Sequence, residues 1–225
     1  LCDRRQRQMC IRDRFKALQA QINPHFLYNA LDTVNWMAMK KGDTEICDMV
    51  SAISNLMRIS IGNKQDIFSI RQELKYVKDY LYIQETRYRD RFQVYFAIDE
   101  KILDEKIPKL TIQPLVENAV QHGIHDCMET GKIRMSIHKD GDNLEITVSD
   151  NGAGMTQEMI RSVMAGKARN NGEDRYSTGI AVGNVIDRLE LYYKQKGLLT
   201  IESEGLGLGT SVHITLPVEV EGTSE

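Results

Sequence analysis

The period of the hydrophobic residues changes once along this chain, near Arg91, and that change limits the folds open to it. Before Arg91, apolar residues recur at intervals of three and four. Phe15, Leu18, Ile22, Phe26, Ala30 or Leu31, Val34 and Met37 form one series. Ile46, Met49, Val50, Ile53, Leu56 and Met57 form a second. Such spacing lines one face of an α-helix. After Arg91, Phe92, Val94, Phe96 and Ile98 alternate with polar residues, as do Ile133, Met135 and Ile137. A turn at Asp140-Gly141-Asp142-Asn143 follows, then Leu144, Ile146 and Val148. Alternation marks half-buried strands. The fold class expected is α+β: an N-terminal helical hairpin, then an α/β sandwich with a mixed, mostly antiparallel sheet and helices on one face.

The first helix is expected over residues 14–39, ending at Lys40-Lys41-Gly42, where cations and a glycine suit a C-cap. The second is expected over residues 44–60. One hairpin leaves an apolar stripe uncovered, and two hairpins from two chains bury it as a four-helix bundle, so a homodimer is expected. Gly62 to Asp66 reads as a break. Ser69 opens a third helix, with Gln72 three residues on as a capping box and Leu74, Val77, Leu81 and Tyr88 as its apolar side. Later helices are expected over 111–123, 157–165 and 180–194, and closing strands over 199–203 and 211–216. The domains expected are a helical region at 15–90, a sheet domain at 91–218 and a tail at 219–225.

Residues 1–14 are basic and lack an apolar period. Residues 8–14 resemble the translation of a sequencing adapter, and the segment is expected to be non-native or, failing that, a basic linker next to a membrane. The net charge of -3 gives no argument for nucleic-acid binding, and none is expected. Cys2, Cys10, Cys47 and Cys127 form no CxxC pair and read as reduced thiols. No apolar run approaches the roughly 20 residues that span a bilayer.

Four segments carry chemistry. In Asn23-Pro24-His25-Phe26-Leu27-Tyr28-Asn29, a proline interrupts a helical pattern directly before a histidine. Proline inside a helix costs roughly 3 kcal/mol. His25 falls on the flank away from the apolar stripe, exposed and available as a nucleophile. In Gln113 to Gly123, residues Glu117, Asn118, Gln121 and His122 share the polar side, and an amide oxygen suits Mg²⁺. In Ser149 to Met155, the glycines permit a tight turn, and Asp150 at a strand end can accept from an exocyclic amine. In Ser177 to Val185, an amphipathic helix opens with free N–H groups suited to phosphate. The polar stretch before it, 166–176, has the length and composition of a lid, with Lys167, Arg169 and Arg175 within it.

These segments in this order, closed by Gly209-Thr210-Ser211, resemble the ATP-binding domain of the gyrase, heat-shock chaperone, histidine kinase and MutL superfamily. The upstream Asn-Pro-His-Phe-Leu-Tyr-Asn narrows the resemblance to sensor histidine kinases of the LytS/YesM type, over residues 15–217. The resemblance implies a two-component kinase that phosphorylates itself on His25 from ATP, then passes the phosphoryl group to a response-regulator aspartate. It implies Asn118 as the Mg²⁺ ligand, with Glu117 and His122 beside it. Asp150 would read the adenine amine, Gly152 and Gly154 would admit the nucleotide, and Thr210 would support the adenine side. Gly179, Gly183 and Asn184 would form the phosphate-side turn. Two departures stand out: Ala181 where the family usually has glycine, and Gln121 where it often has a basic residue. Phe26 follows His25 where an acid could serve as base, which leaves Glu117 as the candidate. The resemblance also implies a membrane anchor in segments upstream of this portion, which would lie on the cytoplasmic side. The alternatives are a non-catalytic ATP-sensing dimer, and an ATPase or serine kinase that would not need the hairpin.

Overall fold

The computed structural model describes residues 24–62, 65–88, 91–124, 130–165 and 177–218. The chain divides into two compact units, residues 1–63 and 64–225. In the first unit, α1 (Pro24–Lys41) and α2 (Thr44–Gly62) pair as a hairpin. Its turn is set by two residues. Gly42 takes φ +71, its N–H donates to the carbonyl of Met39 at 3.1 Å, and the N–H of Asp43 donates to that of Ala38 at 3.1 Å. That is a Schellman ending, which glycine allows at no steric cost. Asp43 then caps α2, its Oδ1 accepting from the N–H of Ile46 at 3.1 Å. Only Ala38, Val50 and Ala52 are buried among the described apolar residues of this unit. Phe26, Val34 and Met37, expected on the apolar face, are exposed in the single chain. The part of the first helix expected before Pro24 lies outside the described residues, as do the segments 1–14 and 219–225.

The second unit carries a five-stranded sheet. Its strands are β2 (Phe92–Ile98), β4 (Gly131–Asp140), β5 (Asn143–Asp150), β6 (Leu199–Glu202) and β7 (Thr210–Pro217). The order is β2-β4-β5-β7-β6, with β2 and β4 parallel and every other pair antiparallel. The sheet is thus mixed and mostly antiparallel, as the alternation led one to expect. A small antiparallel pair joins β1 (Ile67–Ser69) to β3 (Lys106–Pro108). Four helices accompany these strands: α3 (Ile70–Tyr88), α4 (Gln113–Asn118), α5 (Gln157–Met164) and α6 (Ser177–Tyr193).

One face of β4, β5 and the end of β7 is buried, whereas β2, an edge strand, buries Phe92, half-buries Val94 and Ile98, and leaves Phe96, expected on the inward face, exposed. Ile133, Met135, Ile137, Leu144, Ile146, Val148, Ile214 and Leu216 make the sheet side of the core. Leu74, Val77 and Leu81 of α3, Leu115 and Val116 of α4, and Val182, Val185 and Leu189 of α6 are buried with them. Each such side chain, fully buried, stabilises by about 1.5–3 kcal/mol. The other face is polar: Thr147 meets His213 at 3.1 Å, and Thr215 donates to Glu145 at 2.9 Å. The capping box read from the sequence is present and reciprocal. Ser69 N–H donates to Gln72 Oε1 at 2.8 Å, and Gln72 N–H donates to Ser69 Oγ at 3.3 Å. The helix so capped, α3, lies in the sheet unit, whereas its sequence pattern had grouped it with the hairpin at 15–90.

Candidate functional site

The site begins where β5 ends. Asp150 is the last residue of β5 and pairs in register with Ile133 on one side and Thr210 on the other. Its Oδ1 accepts the N–H of Gly152 at 2.8 Å, and the N–H of Thr210 also points to its carboxylate. Burial pushes the Asp150 carboxyl up to about 6, against the pull of those two N–H groups. Asp150, Gly152 and Thr210 are therefore brought together. The structure leaves Asp150 a desolvated acceptor held by two backbone N–H groups.

The turn after Asp150 is built against the loop before β7. Gly207 N–H donates to the carbonyl of Ala153 at 2.7 Å, and Gly209 N–H to that of Gly152 at 3.1 Å. Ser203 Oγ ties the two together: it accepts from the N–H of Met155 at 2.9 Å and donates to the carbonyl of Gly209 at 2.7 Å. Gly154 has φ +65, and a Cβ there would overlap the carbonyl oxygen of Gly205. Gly209 has φ +76, and a Cβ there would overlap the carbonyl oxygen of Asp150. Both glycines are thus required by contact between two protein loops. Sequence reading assigned Gly154 to close approach of a ligand and passed over Ser203, Gly205 and Gly207. The alternation Gly205-Leu206-Gly207-Leu208-Gly209 was the available signal. Asn151 anchors the other flank, its Oδ1 accepting from the N–H of Lys132 at 2.5 Å.

The second part of the site is a single helix in two pitches. The α-helical turns of α4 stop at Asn118, and residues Ala119–Ile124 form a π turn. Sequence period predicted one continuous α-helix over 111–123, and periodicity cannot signal a change of pitch. π turns gather at functional sites. Glu117 accepts from Gln113 Nε2 at 2.7 Å. The Nδ2 of Asn118 is buried with no hydrogen-bond partner among the described residues. His122 falls in the π turn, and its side chain lies outside the described residues.

An amide whose buried end lacks a partner fits a cation, because the same end can present oxygen once the amide is turned over. Among the described residues, no cluster of three or more His, Cys, Asp or Glu side chains could hold a metal unaided.

Gly179, Gly183 and Asn184 all lie within α6, so the third group sits in helical turns rather than in a turn preceding them. Gly183 is buried and Asn184 exposed. Ala181 is half-buried in the same stretch, and Gln121 is exposed in the π turn. The expected lid, 166–176, with Lys167, Arg169 and Arg175, lies outside the described residues.

Two residues missed from sequence hold the loop before α4. Glu73 of α3 is wholly buried, and its Oε1 and Oε2 accept the N–H groups of Leu110 at 2.6 Å and Ile112 at 2.9 Å. Burial pushes the Glu73 carboxyl up, while the N–H groups of Ile112, Leu110, Gln113 and Thr111 draw it down. Arg188 of α6 donates to the carbonyls of Lys109 at 2.9 Å and Leu110 at 2.7 Å. Leu110 between them has φ 59, a left-handed conformation that costs a residue with a side chain roughly 1–2 kcal/mol.

In the hairpin unit, His25 is exposed on α1, and its Nδ1 lies 3.2 Å from the amide nitrogen of Asn29, one turn on.

The sheet unit and the hairpin both match known families. Residues 103–220 match the histidine kinase-, DNA gyrase B- and HSP90-like ATPases, and residues 13–92 match the histidine kinases. The chain belongs to the sensor histidine kinases of two-component systems, of the LytS/YesM type. It is 37% identical over 217 residues to the sensor histidine kinase YesM of Bacillus subtilis, covering 96% of this chain and 35% of YesM. It is 34% identical over 207 residues to the sensor protein LytS of Enterococcus faecalis, covering 92% of this chain and 34% of LytS. The chain thus spans about a third of the length of these relatives. The catalytic domain of the histidine kinase ThkA has the same fold, with a TM-score of 0.50, 16% identity, and coverage of 68% of this chain and 94% of that one. The family segments meet between 92 and 103, whereas the compact units meet at 63 and 64, so α3 belongs to one family segment and to the other folded unit.

Proposed function

We propose that this chain is the kinase portion of a sensor that phosphorylates itself on His25 from ATP and then transfers the phosphoryl group to an aspartate of a response regulator. The observation that carries this is the presence, in one chain, of an exposed histidine on a family hairpin and a nucleotide-type acceptor, Asp150, in an ATPase-family sheet. Asp150 accepts the adenine amine, with Thr210 behind it. Gly152 and Gly154 shape the turn beside the base. Gly179, Gly183 and Asn184 line the phosphate side, with His122 and Glu117 flanking Asn118. Mg²⁺ bound at Asn118 supplies neutralisation of the phosphate charge.

Catalysis is then largely positioning. One imidazole nitrogen of His25 attacks the γ-phosphorus; the new N–P bond forms as the bond to the ADP oxygen breaks. Attack through Nε2 needs the proton on Nδ1. The Asn29 amide must then turn its oxygen toward Nδ1, and the 3.2 Å separation suits that orientation equally well. The Nδ1 proton leaves to solvent after attack.

The exposed apolar side chains of α1 support pairing with a second hairpin in a homodimer. No helix among the described residues is long and apolar enough to cross a membrane. Anchoring through upstream segments rests on the greater length of the relatives, and an upstream reading frame without a span of roughly 20 apolar residues would refute it.

The deciding experiment incubates the chain with γ-labelled ATP. The expected label is acid-labile and base-stable, as a phosphoramidate is. His25→Gln is expected to abolish it while calorimetric ATP affinity stays within about twofold. Label that persists in this variant, or that maps to His122, overturns the assignment.

A further inference from the structure

We propose that Glu73 and Arg188 are positioning residues that form a two-sided clamp on the turn 109–112, and so set where α4 and Asn118 stand relative to α6. The inference rests on the ATP-binding role given above to Asn118 and to the start of α6.

The need for a clamp is local. A helix start leaves N–H groups without intrahelical partners. At the start of α4, Ile112 occupies the cap position and offers no side-chain acceptor, and Pro114 follows. Glu73 supplies the missing acceptor from another helix. Its two oxygens take the N–H groups of Leu110 and Ile112. The carboxylate sits in the first turn of α3 and against the start of α4, so two helix N-termini face one negative charge.

Arg188 works on the opposite side of the same peptides. Its Nη1 donates to the carbonyls of Lys109 and Leu110. Leu110 therefore gives its N–H to Glu73 and its carbonyl to Arg188, and is held left-handed between them. Thr111 closes the turn, its hydroxyl donating to the carbonyl of Pro108 at 2.6 Å. Arg188 lies one helical turn beyond Asn184, so one helix carries both the clamp and the residues assigned to phosphate. Further along α3, Tyr80 is buried near Glu117, so α3 meets α4 at a second place.

Buried charges are weak evidence for stability, since apolar side chains of similar volume often serve as well. What they add is one defined geometry. The clamp fixes the helix that ends in Asn118 without touching the nucleotide.

Arg188→Met keeps an unbranched side chain, though a shorter one, and removes the Nη1 that makes both hydrogen bonds; Arg188→Lys keeps the charge and an ammonium that can still donate. Glu73→Gln is the obvious partner variant, but its NH₂ would face N–H donors and can block folding. Arg188→Met keeps the test decisive in that event. Amide hydrogen exchange on the whole chain, without nucleotide, reads the clamp first. The amides of Leu115, Val116 and Ala119 are expected to exchange about tenfold faster in Arg188→Met, with those of Ile146 and Leu216 unchanged. Calorimetry reads the consequence: Mg-ATP affinity falls about tenfold, adenosine affinity stays within about twofold, and Arg188→Lys recovers part of the loss.

Unchanged exchange in α4 overturns the proposal. So does a parallel loss of adenosine affinity, Mg-ATP affinity and sheet protection, which would mark a role in stability alone. A native chain that binds no ATP, while Arg188→Met still frees α4, would refute the proposed function and uphold the clamp.

Discussion

The hairpin and the sheet unit solve the same problem to different degrees. In the sheet unit, α3, α4 and α6 bury their apolar residues with those of β4, β5 and β7, and Phe68, Ile107, Ile133, Ile146 and Ile214 are wholly buried. In the hairpin, Phe26 is 68% exposed, Trp36 57% and Met39 63%. The sheet unit supplies both layers of its own core, although Leu191, Leu206 and Leu208 on its surface are also exposed. Among the described residues the hairpin buries little, and the second hairpin proposed above would supply the missing layer. On that proposal, the two units differ in where the second layer comes from.

The sharpest way to break this comparison is to put charge on the hairpin. Phe26→Asp together with Met39→Asp is expected to shift the chain from dimer to monomer at micromolar concentration, a weakening of at least about a hundredfold. Sedimentation would measure it. A chain that is monomeric before the change, or dimeric after it, removes the incomplete-core reading. Thermal unfolding of the sheet unit should hardly move.

The converse change sharpens it. Ile146→Ala in the centre of the sheet is expected to cost about 2–5 kcal/mol, read by denaturant unfolding, with the dimer unaffected. A loss below about 1 kcal/mol would mean that the core has another support.

The smallest effect tests the site inside the sheet unit. The Asp150 carboxyl is raised from 3.8 to about 6 in the folded state, so folding favours its protonated form. Its contribution is fully present below the unfolded value and is lost as pH rises through about 6. Between pH 4 and pH 7 this one group should reduce the stability of the sheet unit by at most about 3 kcal/mol. Comparing wild type with Asp150→Ala across that range isolates it. An adenine amine donating to the carboxylate should release protons at pH 6, which calorimetry in two buffers would detect.

Much of the fold was legible because its signals are local. Alternation at Ile133, Met135 and Ile137 needs only neighbouring residues, and so do the Ser69–Gln72 box and the ending at Gly42. The chemistry-bearing segments were legible as motifs, and Asp150 and Thr210 do meet across β5 and β7. What escaped was set by partners far along the chain. Glu73 finds its donors at Leu110 and Ile112, and Gly154 its steric reason at Gly205, and no spacing rule joins such positions. The helical pattern of α3 is likewise the same whichever unit buries it: the family match over 13–92 groups it with the hairpin, and the folded unit places it with the sheet. The π turn escaped for another reason, since apolar spacing cannot tell a change of pitch from its continuation.

The parallel pairing of β2 with β4 also has a kinetic side. Parallel neighbours cannot be joined by a tight turn, so the chain between them must make an excursion, and α4 lies on it. The β4–β5 pair closes through a two-residue turn and has little loop entropy to overcome. The expected order is therefore hairpin first, crossover last, with Asn118 brought to its place only as β2 docks. Pulse-labelled hydrogen exchange during refolding should find the amides of Ile146 and Val148 protected before those of Leu115 and Val116. Protection of α4 in step with the β4–β5 pair would reverse that order. On this order, a nascent chain could hold most of its sheet while still unable to engage nucleotide.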